Sequence, residues 1–328
     1  MGTRHGIKSL HQDVLAAAER IRDHVRCTPF ENSPSISELA GADVWLKLEN
    51  QQYTGSFKIR GAMNKLLFLN ANELERGVVA ASTGNHGAAV AFGCQQLQIP
   101  GLIYVPENTS DAKLENMHNY LADIRFHGQD CVEAEAKARA VAKEKDMVYL
   151  SPYNDPAVVA GQGTAGVEMA TQCDGLDALI VSVGGGGLIG GIAGYLKSVW
   201  PDLHVIGCSP ENSPVMIRSL AAGQILDLES LPTLSDGTAG GVEPDAVTFP
   251  ICQEVIDETV LVTEAEIREG VLSLIEKQHQ LVEGAAGTAM AALMIKKEEL
   301  QGQRIGLVVC GGNISIATLQ EILCTFSD

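Results

Sequence analysis

The sequence predicts an α/β protein built on open sheets of parallel strands. Its 328 residues, of which 45% are hydrophobic and 20% charged, are typical of a globular protein with a substantial core. Short apolar runs alternate with longer amphipathic runs over most of the chain, the pattern of a parallel sheet covered by helices on both faces. Two turns rich in glycine, serine and threonine each join a strand pattern to a helix pattern.

The elements follow in a regular order after an opening helix predicted for residues 11–26. Thr28-Pro29 ends that helix, and Val44–Glu49 is the first strand pattern, followed by a helix pattern over 59–69. Further strands are predicted at 77–81, 101–105, 123–126, 147–150, 178–183, 204–208, 259–262 and 305–310. The helices that follow them are predicted at 85–97, 111–120, 131–145, 157–172, 187–199, 213–222, 264–278 and 314–323.

The spacing of the strands suggests the domain boundaries. Four strands fall between residues 77 and 151, so we expect a small domain over 77–153, inserted into a larger one formed by 1–76 and 154–328. Residues 223–247 interrupt the alternation with a long loop. A loop of that length inside a compact domain is usually functional.

Composition excludes several classes of function. The formal net charge of −18 disfavours binding to nucleic acid and to anionic membrane surfaces. The N-terminal stretch lacks the apolar core of a signal peptide, and no window of about eighteen apolar residues predicts a membrane span. Eight cysteines without a Cys-x-x-Cys pair indicate a reducing, cytoplasmic location, with most thiols in the core, and no metal site is expected.

Residues 54–62 (TGSFKIRGA) place Lys58 at the predicted start of a helix. The positive end of the helix dipole disfavours an ammonium there and favours a neutral amine. A neutral lysine amine is the nucleophile that forms a Schiff base with an aldehyde. Taken alone, the same stretch also fits a surface lysine at a helix start.

Residues 181–191 (VSVGGGGLIGG) follow a strand pattern and open a helix. Four consecutive glycines leave the backbone N–H groups at the helix N-terminus free to bind an anion, and phosphate is the natural ligand. Gly185-x-Gly187-x-x-Gly190, with Glu211 after the next strand, also matches the dinucleotide-binding fingerprint. That alternative leaves Lys58 without a role.

Residues 80–87 (AASTGNHG) form a second turn between a strand and a helix. Hydroxyls, an amide and free N–H groups at a helix start suit a carboxylate, although a plain capping turn explains Ser82 to Asn85 equally well. His86 has the chemistry of a general base, but its position beside Gly87 at a helix start favours a structural role.

Together with the late strand end 309–313 (VCGGN), these stretches resemble the fold-type II pyridoxal-phosphate enzymes, and within them the serine/threonine dehydratase and serine racemase group. The resemblance covers residues 10–325. It implies two open parallel-sheet domains, as in tryptophan synthase β, with pyridoxal 5′-phosphate between them, and a homodimer. The implied activity is β-elimination, in which a 3-hydroxy amino acid such as L-threonine or L-serine gives a 2-oxo acid and ammonia. An amino-acid racemase of the same fold and, more distantly, an NAD(P)-dependent oxidoreductase remain alternatives.

The resemblance also implies a role for each motif. Lys58 would bind the cofactor aldehyde and act as the catalytic base, Asn85 would bond the cofactor 3-hydroxyl, and Cys310 would face the pyridine nitrogen. The implied phosphate site is Gly184, Gly185, Gly186, Gly187 and Leu188. The implied substrate contacts are Ser82, Thr83, Gly84, His86 and Tyr153, with Thr83 also catalytic, and Glu283 matches a glutamate near the ring. A weakly acidic thiol at Cys310 would leave the ring close to neutral, which favours β-elimination over transamination.

The chain departs from the serine racemases at two positions. Ser209 stands where they carry an acidic residue of a divalent-cation site, and Thr83 stands where they carry a proton-donating serine, so racemisation is less expected than elimination. No C-terminal regulatory domain is expected after residue 313. Residues 233–244 (TLSDGTAGGVEP) look like the insert of the hydroxyectoine-utilisation dehydratases and suggest a 3-hydroxy amino acid larger than threonine.

Overall fold

The structure, a computed structural model, describes residues 4–109 and 122–324, together with Leu114, Met117 and Tyr120. For residues 4–9 it describes the backbone only. Most of the helix predicted at 111–120 therefore lies outside the described residues.

The described part of the chain alternates strands with helices, as the sequence predicts. The strands are β1 (Phe30–Asn32), β2 (Asp43–Leu48), β3 (Val78–Ala81), β4 (Gly101–Val105), β5 (Asp123–Phe126), β6 (Val148–Tyr149), β7 (Ala178–Ser182), β8 (His204–Pro210), β9 (Glu258–Val262) and β10 (Arg304–Val309). The helices are α1 (Arg4–Ile21), α2 (Pro34–Ala40), α3 (Lys58–Phe68), α4 (Ala71–Arg76), α5 (Asn85–Leu97), α6 (Cys131–Glu144), α7 (Pro156–Gln172), α8 (Gly187–Val199), α9 (Val215–Ala222), α10 (Thr248–Val255), α11 (Glu264–Gln278), α12 (Gly284–Lys296) and α13 (Ile316–Cys324).

The strands form two sheets. The larger has the order β1-β2-β10-β7-β8-β9, and the smaller has the order β5-β4-β3-β6. All neighbouring pairs are parallel except β1 with β2, which is antiparallel. The α/β fold class and its two open, mainly parallel sheets are confirmed.

The smaller sheet is covered on both faces because its side chains alternate. Val78 and Ala80 of β3 lie in one apolar cluster with residues of α3 and α5, whereas Val79 between them packs against Ala134 and Ala138 of α6. The helix that starts at Lys58 therefore packs against the smaller sheet through α5, although β2, which precedes it, belongs to the larger sheet.

The prediction missed several elements. The edge strand β1 and the helices α2, α4, α10 and α12 have no counterpart in the predicted order. The prediction missed α12 because its residues, mostly alanine, glycine and methionine, are apolar on every side of the helix. No stripe of apolar residues with a 3.6-residue period therefore marks it. The long loop predicted at 223–247 is confirmed and contains only a short 3₁₀ turn, Asp236–Thr238.

A buried group of four charged side chains joins α3 to the larger sheet. Arg60 donates to both oxygens of Glu49 at 2.7 and 2.8 Å and to both oxygens of Glu168 at 2.7 and 2.8 Å. Lys47 donates to Glu168 at 2.5 Å and to the Thr28 carbonyl at 2.8 Å. Lys47, Glu49 and Arg60 are fully buried, and two positive charges balance two negative ones. Arg60 is two residues beyond Lys58, so this group anchors the first turn of α3.

In the part of the chain that the structure describes, no helix is both long and apolar enough to cross a membrane. Over the same residues, no group of three or more His, Cys, Asp or Glu side chains is arranged to hold a metal ion.

The buried charges predict a large effect of Glu49→Gln on stability. Burial alone would raise the pKa of Glu49, but the guanidinium of Arg60 outweighs it and lowers that pKa. Removing one partner of a buried pair leaves an uncompensated charge, so we expect the free energy of unfolding to fall by about 3 to 5 kcal/mol. Urea denaturation at pH 7 measures the change.

The exposed pair Arg22–Glu19 supplies the control, because Glu19→Gln should change the free energy of unfolding by less than about 1 kcal/mol. A lowered pKa means that Glu49 stabilises the fold above its unfolded pKa, near 4.3, and loses that contribution as the pH falls. The difference between wild type and Glu49→Gln should therefore shrink in acid. Equal stability of the two proteins at pH 7 would contradict the structural role of the group.

Candidate active site

Lys58 lies where a loop from the larger sheet meets the start of α3. The loop is held against the end of β10 by two backbone hydrogen bonds, from Phe57 N to the Cys310 carbonyl (3.1 Å) and from Gly312 N to the Gly55 carbonyl (2.9 Å). Gly55 has φ +71°, and a Cβ there would lie 2.5 Å from the side-chain oxygen of Asn313. Only glycine fits that turn, so the loop delivers Lys58 to one defined place.

The Lys58 amine donates to the Pro152 carbonyl at 2.9 Å. Its side chain keeps a partial opening to solvent. Desolvation by the surrounding protein lowers the pKa of Lys58 to about 8, against the opposing effects of Glu283 and Cys310. The predicted position at a helix start is confirmed, since Lys58 is the first residue of α3. At pH 7 about a tenth of this amine is therefore neutral and available as a nucleophile or base, far more than for an ordinary lysine.

The glycine turn lies between the end of β7 and the start of α8. Gly186 has φ +83° and caps α8, and Gly190 N donates to the Gly186 carbonyl at 2.9 Å. Among the described residues, the N–H groups from Gly184 to Leu188 donate to no backbone carbonyl. They form a cluster of free donors at the positive end of a helix dipole, which is an anion site.

Neighbouring side chains fix the outer side of this turn. Thr248 donates through its hydroxyl to the Gly185 carbonyl at 2.6 Å, and Ser209 donates to the Val183 carbonyl at 2.6 Å. These bonds occupy the two carbonyls and hold the turn in place. A Cβ on Gly184 would come within 2.9 Å of the Thr238 carbonyl, so the turn also packs closely against the 223–247 loop.

Tyr153 connects the glycine turn to the lysine. Its ring lies against Gly185, where an added Cβ would approach ring carbons at 2.4 Å, and the Pro152 carbonyl next to it accepts from Lys58. The Tyr153 hydroxyl accepts from Glu243 N at 2.9 Å, and burial raises the pKa of Tyr153 to about 12. The short segment 152–153 therefore contacts both the amine and the glycine turn.

The second predicted turn lies at the start of α5. Gly84 N donates to the Ser82 hydroxyl at 3.2 Å, and α5 begins at Asn85. Over the described residues, the N–H groups of 85–87 have no backbone acceptor and the Thr83 hydroxyl has no hydrogen-bond partner. Free donors and a hydroxyl at a helix N-terminus suit a carboxylate.

His86 belongs to the same turn, but one of its nitrogens is used by the fold. Nε2 lies 2.8 Å from the Leu150 carbonyl, so it carries the proton and donates. Burial and, to a lesser extent, the nearby charge of Lys58 together lower the pKa of His86 to about 3. A neutral imidazole committed to a backbone carbonyl fits the structural role that the sequence favoured. Its predicted contact with substrate stays a prediction.

Glu283 lies buried beside Asn85 and Cys310. Asn85 donates to both of its oxygens at 3.0 and 2.9 Å, and the Cys310 thiol lies 3.8 Å from one of them. Burial raises the pKa of Glu283 to about 7, and burial also raises the pKa of Cys310 well above its ordinary value. Asn313 donates to the Asn85 side-chain oxygen at 2.6 Å and orients it.

The structure thus brings together all the motifs that the sequence singled out. Sequence reasoning did not identify four groups that contact them: the Pro152 carbonyl, Thr248, Asn313 and Glu243. Asn313 ends the VCGGN motif and carried a usable signal. Glu243 lies within residues 233–244, a stretch that the sequence marked for a different reason. The Pro152 carbonyl and Thr248 reach the site through folding alone, and no pattern in the sequence marks them.

Comparisons with known proteins agree with this geometry. Residues 21–311 match the family described as pyridoxal-phosphate dependent enzyme. The chain is 38% identical over 312 residues to the L-threonine ammonia-lyase of Thermotoga maritima. The alignment covers 95% of this chain and 77% of the relative. The processed form of threonine deaminase isoform 2 from Solanum lycopersicum superposes with a TM-score of 0.94 at 29% identity, covering 100% of this chain and 95% of that one. Maize serine racemase gives 0.89 at 30% identity, covering 96% and 97%.

The lowered pKa of Lys58 predicts an early rise in its reactivity with pH. In the cofactor-free full-length protein, the rate at which an amine-directed reagent modifies Lys58 should rise through a midpoint near pH 8, because only the neutral amine reacts. Peptide mass spectrometry across the pH range measures the rate, and exposed lysines in the same sample should show midpoints near about 10.4. A Lys58 midpoint matching the exposed lysines would contradict the described environment.

Proposed function

The chain belongs to the family of pyridoxal-phosphate dependent enzymes, and we propose that it is an ammonia-lyase acting on a 3-hydroxy amino acid such as L-threonine or L-serine. The reaction removes the β-hydroxyl as water, and one water then hydrolyses the resulting enamine to ammonia and a 2-oxo acid. One observation supports this most strongly. The Lys58 amine donates to the Pro152 carbonyl, and the side chain of the next residue, Tyr153, contacts the anion-binding glycine turn. The dinucleotide fingerprint explains the glycines but not that amine.

The residues present fit pyridoxal 5′-phosphate. The free N–H groups of 184–188 would hold the phosphate, and any side chain at Gly185 would clash with Tyr153. Lys58 would bind the aldehyde, and Asn85 and Cys310 would contact the ring. The cofactor, when bound, withdraws electrons from the substrate α-carbon and so acidifies its proton.

The chain's own groups would then carry out binding and proton transfer. The N–H groups at the start of α5, with Ser82, Thr83 and Gly84, would orient the substrate carboxylate. Lys58, whose pKa is about 8, would accept the α-proton, because a base with a pKa near the working pH is most effective. Burial alone lowers the pKa of that amine, so no neighbouring positive charge is needed to keep part of it neutral.

The environment of Cys310 favours elimination. Its pKa is well above the ordinary range, so at neutral pH the group is an uncharged thiol. A neutral thiol stabilises a protonated ring nitrogen less than an aspartate would, so negative charge from the α-carbon is stored less well. Rapid loss of the β-hydroxyl is then favoured over transamination.

Racemisation is the second candidate, supported by the likeness to maize serine racemase. It requires a proton donor on the second face of the α-carbon, and Thr83 is the hydroxyl proposed there. Its added methyl group restricts the rotamers of the hydroxyl, which disfavours this role. We therefore place elimination first.

Further proposals concern the domains, the assembly, the location, the partners and the size of the substrate. Residues 77–153 form a small domain and 1–76 with 154–328 a larger one, with the cofactor between them. The enzyme is a homodimer of the cytoplasm. Its net charge of −18 supports the absence of nucleic-acid and membrane partners. The loop 233–244 suggests a substrate larger than threonine.

Lys58→Ala should abolish the activity. Without the amine, ammonia release from L-threonine and L-serine should fall at least about 10³-fold, because the nucleophile and the base are lost together. The visible absorbance of the bound cofactor should disappear as well. Circular dichroism that matches wild type confirms that the variant is folded, and full ammonia release without Lys58 would refute the assignment.

A panel of substrates separates the two candidate reactions. Serine, threonine, 3-hydroxyaspartate, phenylserine and 3-hydroxy-2,4-diaminobutyrate are each scored for oxo acid, ammonia and optical rotation. The proposed lyase produces oxo acid and ammonia in equal amounts. Loss of optical rotation without ammonia would identify a racemase instead.

A further inference from the structure

One ion pair joins the two halves of the fold close to the site without belonging to it. Arg139 lies on α6, which covers the smaller sheet, and Glu243 lies in the loop 223–247, which follows α9 on the side of the larger sheet. The Arg139 guanidinium donates to Glu243 at 2.7 Å. The Glu243 side chain is 22% exposed, so the pair is partly shielded from water.

Both partners are held in place by further contacts. The Arg139 guanidinium lies over the ring of Tyr149 at 4.1 Å and also donates to Glu135, one turn earlier on α6, at 2.7 Å. The Asn154 side chain donates to Glu243 at 3.1 Å and accepts from Val247 N at 2.8 Å. The pair therefore belongs to a network rather than being an isolated surface contact.

Glu243 also connects the ion pair to the glycine turn through Tyr153. Its backbone N–H donates to the Tyr153 hydroxyl at 2.9 Å, and the Tyr153 ring lies against Gly185. A shift of the loop at residue 243 would remove the only hydrogen bond that the structure gives this hydroxyl within the described residues. The ring would then be free to leave the turn whose N–H groups form the anion site.

We propose that Arg139 and Glu243 are positioning residues that hold the loop on Tyr153 and thereby set the affinity of the glycine turn for phosphate. The proposal rests on the proposed function, because it takes the phosphate of pyridoxal 5′-phosphate as the ligand of that turn. The pair touches neither cofactor nor substrate and acts through Tyr153. Its effect is therefore specific to the phosphate end of the cofactor.

The test uses four variants of the full-length enzyme: Arg139→Gln, Glu243→Gln, both together, and Glu135→Gln. Gln at 243 keeps an acceptor for Asn154 and the backbone N–H for Tyr153, so it removes only the charge. Glu135→Gln is the matched control, since it removes the other acid that contacts Arg139 and leaves the cross-link intact. Equilibrium dialysis measures the dissociation constants of pyridoxal 5′-phosphate and of pyridoxal, which lacks the phosphate.

We expect each single variant of the pair to bind pyridoxal 5′-phosphate about two- to fivefold more weakly than wild type, the range of a partly shielded ion pair. The double variant should be no weaker than either single one, because both remove the same interaction. Binding of pyridoxal should be unchanged in every variant. Glu135→Gln should match wild type, and high salt should narrow the difference between wild type and Glu243→Gln.

Three results would overturn the proposal: wild-type affinity in Glu243→Gln, multiplicative effects in the double variant, or an equal loss for pyridoxal, which would indicate general loosening. An effect of Glu135→Gln as large as that of Arg139→Gln would also overturn it, since the cause would then be the charge of α6. Failure of the wild-type chain itself to bind pyridoxal 5′-phosphate would contradict the proposed function, so the two failures are distinguishable.

Discussion

The hydrogen bond from the Lys58 amine to the Pro152 carbonyl links the two ends of the site. A cofactor held at both ends requires the amine and the anion site, which belong to different segments of the chain, to keep constant positions relative to each other. The chain meets this requirement with one short segment, because Pro152 contacts the amine and Tyr153 contacts Gly185. The buried charged group around Arg60 anchors the first turn of α3, which begins at Lys58, to the larger sheet.

Burial is the common cause of the unusual acidities in the site. It lowers the pKa of Lys58 to about 8 and that of His86 to about 3, and it raises that of Glu283 to about 7. Each shift favours the uncharged form, so at neutral pH the site has less charge than its composition suggests. Arg60 and Glu49 behave in the opposite way, because their mutual ion pair keeps both side chains charged although they are buried. The fold thus separates a fully charged structural group from a reactive one whose charge is only partly suppressed at neutral pH, and Arg60 and Lys58 are only two residues apart.

The sequence predicts the fold class correctly, and it marks the candidate site residues, for physical reasons. A parallel sheet requires alternating apolar strands and amphipathic helices, and a phosphate turn requires glycines, so both leave local signatures. The helix α12 is lost to such reasoning because a helix buried on all sides has no stripe, and β1 because three residues are too few for a period. Contacts such as Arg139 with Glu243 join residues far apart in the chain, and no local pattern encodes them.

Reduction of the full-length enzyme with borohydride in the presence of pyridoxal 5′-phosphate, followed by peptide mapping, tests the central claim most directly. Borohydride makes the linkage between the cofactor carbonyl and a lysine amine permanent. The account predicts one pyridoxyl group per chain, on the peptide that contains Lys58. A pyridoxyl group on another lysine, or none on any peptide, would contradict it.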